Sequence, residues 1–275
     1  MLFCFAIILN TVQPFTQYIG KSSGTTADLI YSVEDMNNHI RQKYNKENVS
    51  DLKFKISSYK VLKSINIGQK DINRHYILTK GVNSKADKTC VEVASTILSY
   101  MYSTEKNDYN EIFCKILDYA KEKGYHNSDL GTNGNKVEKI IKQAFSLNNS
   151  TKDIKVKKKI KNVYDTLKEN INNDKLTYFN ITDHAMVGAG YIEYTVTWKQ
   201  DFRFLFFKKT QEYECTEKFI VVNAGCSSKV LEDEFTFDCI GKDNVYQIYP
   251  EDRIKVDFMK AITLCFNYYN ITFIN

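Results

Sequence analysis

The sequence predicts an α+β fold in which helices pack against an antiparallel β-sheet. Two features of the sequence point to this class. Apolar residues recur at helical spacing between Asp87 and Ile171, and beyond Asp174 the spacing shifts towards the alternation of strands. Helices followed by a run of strands are typical of α+β domains. Hydrophobic residues make up 43% of the 275 residues, which is enough to build a core.

The first 22 residues are interpreted as an export signal or N-terminal segment. The apolar run Leu2–Leu9 has the length of the apolar part of a signal peptide. It is much shorter than the roughly 20 residues that a membrane-spanning helix needs. A buried N-terminal strand is the alternative interpretation. With an export signal, the protein would be secreted or lie at the cell surface, without stable insertion into the membrane.

Residues 23–80 carry no convincing chemistry. The apolar pattern predicts a helix at 27–45 and short strands at 52–57 and 75–80. This region is either propeptide-like or an accessory part of the fold. The main domain is predicted to cover residues 81–275.

Four helices are predicted at the start of the main domain. The first begins near Cys90 and buries a broad apolar face made of Val93, Ala94, Ile97, Leu98 and Met101. The other three are predicted at 109–123, 136–147 and 154–171.

Strands are predicted in the second half of the main domain, at Leu176–Ile181, His184–Val196, Phe202–Phe207, Phe219–Asn223 and Phe235–Cys239. The aromatic stretch from Trp198 to Phe207 is interpreted as an inserted hairpin. A cofactor-binding cluster is the less favoured explanation for these rings.

Composition argues against two classes of function. The net charge of +5 is too small to indicate a nucleic-acid-binding face, and the basic run from Lys155 to Lys161 is predicted to be the solvated face of a helix. The chain has seven cysteines but no CxxC pair of the kind that binds zinc. We therefore expect neither nucleic acid as a partner nor a metal or organic cofactor.

Three residues are candidates for chemistry. Cys90 stands in the first turn of a helix, where unpaired backbone N–H groups and the helix dipole favour a thiolate, the nucleophilic form of cysteine. His184 begins a strand of small and apolar residues, and Asn223 ends the apolar strand that starts at Phe219. Each also has a purely structural interpretation: a buried cysteine, a core histidine and a turn asparagine.

Together these residues resemble the papain-like cysteine peptidases. The order Cys, His, Asn matches that family, and the stretch from Asp183 to Tyr191, Asp-His-Ala-Met-Val-Gly-Ala-Gly-Tyr, resembles its histidine strand. The chain is similar above all to the bacterial C39-like branch of secreted cysteine peptidases, over roughly residues 80–226. The resemblance implies a papain-like catalytic domain, a peptide or protein substrate, and a triad of Cys90, His184 and Asn223.

In this family a glutamine shortly before the nucleophile stabilises the oxyanion, but residues 82–89 contain no Gln. Asn83 is the nearest amide and is expected to take that role, together with the backbone N–H of Cys90. Two alternatives remain open for the chain. The first is a cysteine-dependent amidase or acyl transferase, for example one that acts on peptidoglycan. The second is a non-catalytic secreted binding protein on a peptidase scaffold.

Overall fold

The structure is a computed structural model, and it describes residues 18–19, 32–103, 107–148, 154–159, 162–181, 184–204, 206–225, 240, 246–251 and 267–273.

Six α-helices lie in this part of the chain: α1 Val33–Tyr44, α2 Gln69–Lys80, α3 Cys90–Tyr102, α4 Tyr109–Glu122, α5 Val137–Leu147 and α6 Val163–Asn172. Side chains cap two of them, since Ser32 accepts from the backbone N–H of Asp35 and Asp108 accepts from that of Asn110. Helix α3 differs from the others because every residue from Cys90 to Ser99 is buried. It is the central helix of the domain.

The described strands are β1 Tyr18–Ile19, β2 Val49–Val61, β3 His126–Asn127, β4 Gly131–Asn133, β5 Ile154–Lys159, β6 Thr177–Ile181, β7 His184–Phe204, β8 Phe207–Asn223, β9 Tyr246–Pro250 and β10 Asn267–Phe273. Strands β1, β3 and β4 form a small sheet, and the other seven form an antiparallel main sheet in the order β5-β10-β6-β7-β8-β9, with β2 also on β7.

The long strand β7 organises the main sheet. Strand β8 pairs with it along one edge, from Val187 to Phe204. Two strands share its other edge, because β6 pairs with the first five residues of β7 and β2 pairs with the stretch from Gly190 to Gln200. The beginning of β7 therefore lies inside the sheet, whereas its far end extends beyond it.

Helices cover both faces of the main sheet. Helices α1 to α5 and the sheet residues Val187, Ala189 and Val221 form the larger core. Alternate sheet residues such as Met186 and Val222 point the other way and pack with α6 in a second, smaller core. The predicted α+β class with helices on an antiparallel sheet is confirmed, and α6 adds a layer on the opposite face.

Residues 33–80 contribute to the same sheet and core. Strand β2 pairs with β7 over most of its length, and Met36 and Ile40 of α1 are buried in the larger core.

Three predicted elements were wrong. The strand predicted at Phe202–Phe207 spans the turn of the hairpin, because β7 ends at Phe204 and β8 begins at Phe207. Residues 75–80 belong to α2 instead of a strand, because Gln69, Ile72 and Tyr76 bury one helical face that a six-residue window does not reveal. The helix predicted at 154–171 is divided into β5 and α6. The basic run therefore begins on a strand, where Val156 is buried against the core.

The other predictions agree with the structure where it describes them. The helices expected near 90, at 109–123 and at 136–147 are α3, α4 and α5, and the inserted hairpin is formed by β7 and β8. The strand predicted at Phe235–Cys239 lies outside the described residues, as do the start of the helix at 27–45 and the run Leu2–Leu9.

Within residues 1–22, Tyr18 and Ile19 pair with Asn133 and Thr132 of β4. In the part of the chain that the structure describes, no helix combines the length and hydropathy needed to cross a membrane.

Candidate functional site

Cys90 is the first residue of α3 and is 2% exposed. The helix starts abruptly, because Lys88, two residues earlier, takes a left-handed conformation with φ of +55°. A lysine in this region is strained, and such strain concentrates at functional sites. The Lys88 ammonium is held by the carbonyl of Asp129 in the neighbouring loop. Cys90 therefore lies at the positive end of α3, a helix in which every residue from Cys90 to Ser99 is buried.

His184 is the first residue of β7 and is also buried. Its Nε2 lies 3.1 Å from the carbonyl oxygen of Ala224, which is an acceptor only. The contact therefore requires a proton on Nε2. In the neutral ring the lone pair then belongs to Nδ1, so Nδ1 is the atom that acts as a base.

Asn223 has a different role from the one the sequence predicts. Its amide nitrogen donates to the carbonyl of Ile65 at 2.7 Å and to Ser64 Oγ at 3.1 Å. Its amide oxygen accepts from the backbone N–H of Gly225 at 3.0 Å. The acceptor for His184 is the backbone carbonyl of the next residue, Ala224.

The turn Asn223-Ala224-Gly225 connects the elements of the site. Gly225 has φ of +65°, and a Cβ on it would lie 3.1 Å from Cγ1 of Val93, one helical turn after Cys90. The carbonyl of Gly225 accepts the backbone N–H of Gln69 at 2.7 Å. With the Ala224–His184 contact, this turn joins the start of α2, the first turn of α3 and the start of β7.

Gln69 is an amide that the sequence prediction missed. It is buried at the start of α2, and its Nε2 lies 3.4 Å from Oγ1 of Thr89, the residue before Cys90. That distance is at the long limit for a hydrogen bond, so the amide N–H is weakly engaged. Thr89 itself donates to Asn73 at 2.6 Å, which fixes the hydroxyl.

Asn83, the amide expected to stabilise an oxyanion, is exposed in the turn after α2. Gln69, in contrast, contacts the residue immediately before Cys90. The signal missed in the sequence was the pair Gly68-Gln69 at the start of a helix, since α2 was not predicted there. Twenty-one positions separate Gln69 from Cys90 in sequence, so a local motif search around Cys90 does not reach it.

A cavity of about 670 Å³ opens beside Gln69 and Lys88. Helix α2 forms one wall, and the loop that leads to Cys90 and the loop at Ser128 and Asp129 form the other. Its wall carries both signs of charge, with Lys70, Arg74 and Lys88 against Asp87 and Asp129. The cavity is large enough for several residues of an extended peptide.

A second buried cluster lies on α3, the helix that begins at Cys90. Glu92 accepts from Thr132 Oγ1 at 2.6 Å, and Nδ1 of His126 lies 3.2 Å from the same carboxylate oxygen. The Glu92 and His126 side chains are fully buried. The cluster attaches β3 and β4 to α3, and it gives His126 a structural role. Thr132 of the stretch Gly131-Thr132 therefore takes part in this cluster, and the stretch lies in β4 before α5.

Two other thiols are described, Cys114 and Cys215, and neither is in a disulfide. Burial raises the pKa of Cys114, and nearby Asp118 raises it further. Burial also raises the pKa of Cys215, although a hydrogen bond with Tyr44 opposes the shift. Both are therefore poor nucleophiles near neutral pH, because less of each thiol is ionised.

No group of three or more His, Cys, Asp or Glu side chains in the described part of the chain is arranged to hold a metal ion.

No known protein family, curated protein or solved structure matches the chain.

Proposed function

We propose that the protein is a cysteine peptidase with a papain-like site, in which Cys90 is the nucleophile and His184 is the base. The observation that carries the proposal is the hydrogen bond from His184 Nε2 to the carbonyl of Ala224. It makes Nδ1 the basic atom of the ring, next to the turn that also holds Gln69 and the first turn of α3. A base, a helix-start thiol and a buried amide are the groups that thiol-dependent acyl transfer needs.

The reaction would begin with transfer of the Cys90 thiol proton to Nδ1 of His184. The thiolate then attacks the peptide carbonyl, and the carbonyl electron pair moves to oxygen. The backbone N–H of Cys90 and the amide of Gln69 would stabilise this oxyanion. When the intermediate collapses, the proton on Nδ1 passes to the leaving amine and a thioester forms on Cys90. Water, deprotonated by Nδ1, releases the acyl group and restores the thiol.

Ala224 and Asn223 would position His184 without taking part in the bond changes. The Ala224 carbonyl keeps the Nε2 proton in place through the cycle and stabilises the imidazolium that forms. Asn223 holds the turn in which this carbonyl lies, through its bonds to Ile65 and Gly225. The cavity beside Gln69 and Lys88 would receive the substrate chain, and its charges favour peptides that carry polar side chains.

The test is cleavage of an unbiased peptide mixture by the purified chain, with products identified by mass spectrometry. We expect cleavage to be lost in Cys90→Ala and retained in Cys215→Ala, the matched control for loss of a thiol. Isolated cell wall as a second substrate distinguishes a peptidase from an amidase. Turnover that survives Cys90→Ala in a folded protein would contradict the proposal, and so would activity on cell wall alone.

A further inference from the structure

The far end of the β7–β8 hairpin extends beyond the rest of the sheet. Strand β2 pairs with β7 only as far as Gln200, and the backbone N–H of Asp201 then bonds to Asn48. Among the residues that the structure describes, β7 and β8 pair past this point only with each other, down to the pair Phe204–Phe207. We define residues 201–210 as the hairpin tip.

The hairpin tip is apolar and exposed. Its sequence, Asp-Phe-Arg-Phe-Leu-Phe-Phe-Lys-Lys-Thr, is half apolar. Phe206 is 97% exposed, Phe207 is 77% exposed and Phe202 is 41% exposed. Large apolar side chains grouped on a soluble surface mark a site of interaction with a partner or a membrane. These rings play no part in the site around Cys90.

The tip is also supported from within the sheet. Trp198 stacks on Tyr213 across the two strands with ring centroids 5.4 Å apart, and Phe202 lies 6.3 Å from Tyr213. Tyr44 of α1 also packs against Trp198, with ring centroids 4.7 Å apart. This row of rings runs from the body of the protein towards the tip. It stabilises a two-stranded extension that would be marginal by itself.

Positive charges flank the exposed rings. The tip contains Arg203, Lys208 and Lys209 against one carboxylate, Asp201. That carboxylate is engaged within the tip, because it accepts from Lys208 and from Thr210 at 2.7 Å each. The acidic residues Glu212 and Glu214 lie further back along β8, towards the body. The outer end of the hairpin therefore carries a net positive charge beside its apolar rings.

We propose that the hairpin tip binds reversibly to the surface of an anionic lipid bilayer. Aromatic rings favour the membrane interface, and lysine and arginine beside them contact anionic headgroups. The shape supports a bilayer over a protein, because a projecting tip with exposed rings near its end enters a fluid interface without a matching pocket. This is peripheral binding, which neither requires a membrane-spanning segment nor depends on the proposed peptidase activity.

The test is flotation of the full chain with lipid vesicles. Vesicles of phosphatidylcholine mixed with an equal amount of phosphatidylglycerol should carry the protein upwards, and vesicles of phosphatidylcholine alone should carry much less. Phe206→Ser with Phe207→Ser should abolish flotation. Lys209→Glu should weaken it by at least about fivefold, the effect expected of one cation at an anionic surface. Tyr59→Ser, which removes an exposed aromatic ring from β2, is the matched control and should float like the parent.

Three results would overturn the proposal. The first is that the parent protein fails to float with anionic vesicles. The second is that the tip variants float as well as the parent. The third is that Tyr59→Ser reduces flotation as much as the tip substitutions do. Analytical ultracentrifugation provides the last check. A dimer that dissociates on Phe206→Ser would show that the rings serve self-association instead.

Discussion

His184 Nε2 and the carbonyl oxygen of Ala224 are 3.1 Å apart, and this contact fixes the orientation of the imidazole with a backbone atom. A side chain in this role could be removed by substitution, whereas a carbonyl cannot. The geometry of the turn that contains Ala224 therefore decides how well the histidine is held, and its neighbours Asn223 and Gly225 are the residues through which the turn can be tested.

Gly225→Ala should reduce both stability and activity. Its φ of +65° strains any side chain, and the new methyl would meet Val93 at 3.1 Å. Gly124→Ala is a matched control, because Gly124 has φ of +66° with no atom within 4 Å of the added carbon. Each substitution should cost about 1–3 kcal/mol in the free energy of unfolding. Only Gly225→Ala should also lower kcat. Equal activity of the two variants would contradict the role of the turn.

Asn223→Ala should act mainly on stability. The substitution leaves the carbonyl of Ile65 and the N–H of Gly225 without their partner in a buried region, which costs about 1–3 kcal/mol. Urea unfolding measures this loss. Activity should fall with the folded fraction and with the order of the turn, while the pH dependence of kcat/KM keeps its shape. A displaced pH profile with unchanged stability would instead show that Asn223 acts on His184 directly.

Gln69→Ala should lower kcat by about 10²- to 10³-fold with a small change in KM, as expected for loss of one oxyanion donor. Asn83→Ala is the control, because it removes an amide that is exposed in the turn after α2. It should leave kcat unchanged. Steady-state kinetics on one cleavable peptide would compare the two variants, with thermal melting to check that each is folded. A loss of kcat in Asn83→Ala, with little change in Gln69→Ala, would assign oxyanion stabilisation to Asn83.

A chain that starts at residue 79 should not fold. It lacks β2, which pairs along β7, and it lacks Ser64 and Ile65, which bind the amide of Asn223. We expect the full chain to melt cooperatively and the truncated chain to show no such transition, measured by circular dichroism. A truncated chain that melts cooperatively and cleaves peptides faster than the full chain would instead identify residues 1–78 as a propeptide.

Helix α3 and the start of β7 could be predicted from the sequence, because both are encoded locally. Helix α3 shows its apolar spacing within thirteen residues, and β7 begins with a run of small and apolar residues after His184. Helix α2 was missed because its helical pattern is not visible locally. Its buried residues Gln69, Ile72 and Tyr76 are separated by polar and basic side chains, so a short window shows alternation.

The roles of Ala224 and Gln69 could not be predicted from the sequence. A backbone carbonyl leaves no mark in the residue type, and an alanine gives no reason to suspect one. Gln69 reaches Thr89 only because the N–H of Gln69 bonds to Gly225, a contact between residues far apart in the chain. Such contacts depend on the register of the sheet, which a single sequence does not specify.

The rate of alkylation of Cys90 by iodoacetamide at pH 7, with and without His184, tests the central claim most directly. Peptide mapping by mass spectrometry follows each thiol separately, so Cys114 and Cys215, whose pKa values are raised by burial, serve as internal references. The account predicts that Cys90 reacts at least about tenfold faster than either, and that His184→Ala removes this advantage. Labelling of Cys114 or Cys215 ahead of Cys90, or a rate at Cys90 that does not change in His184→Ala, would contradict it.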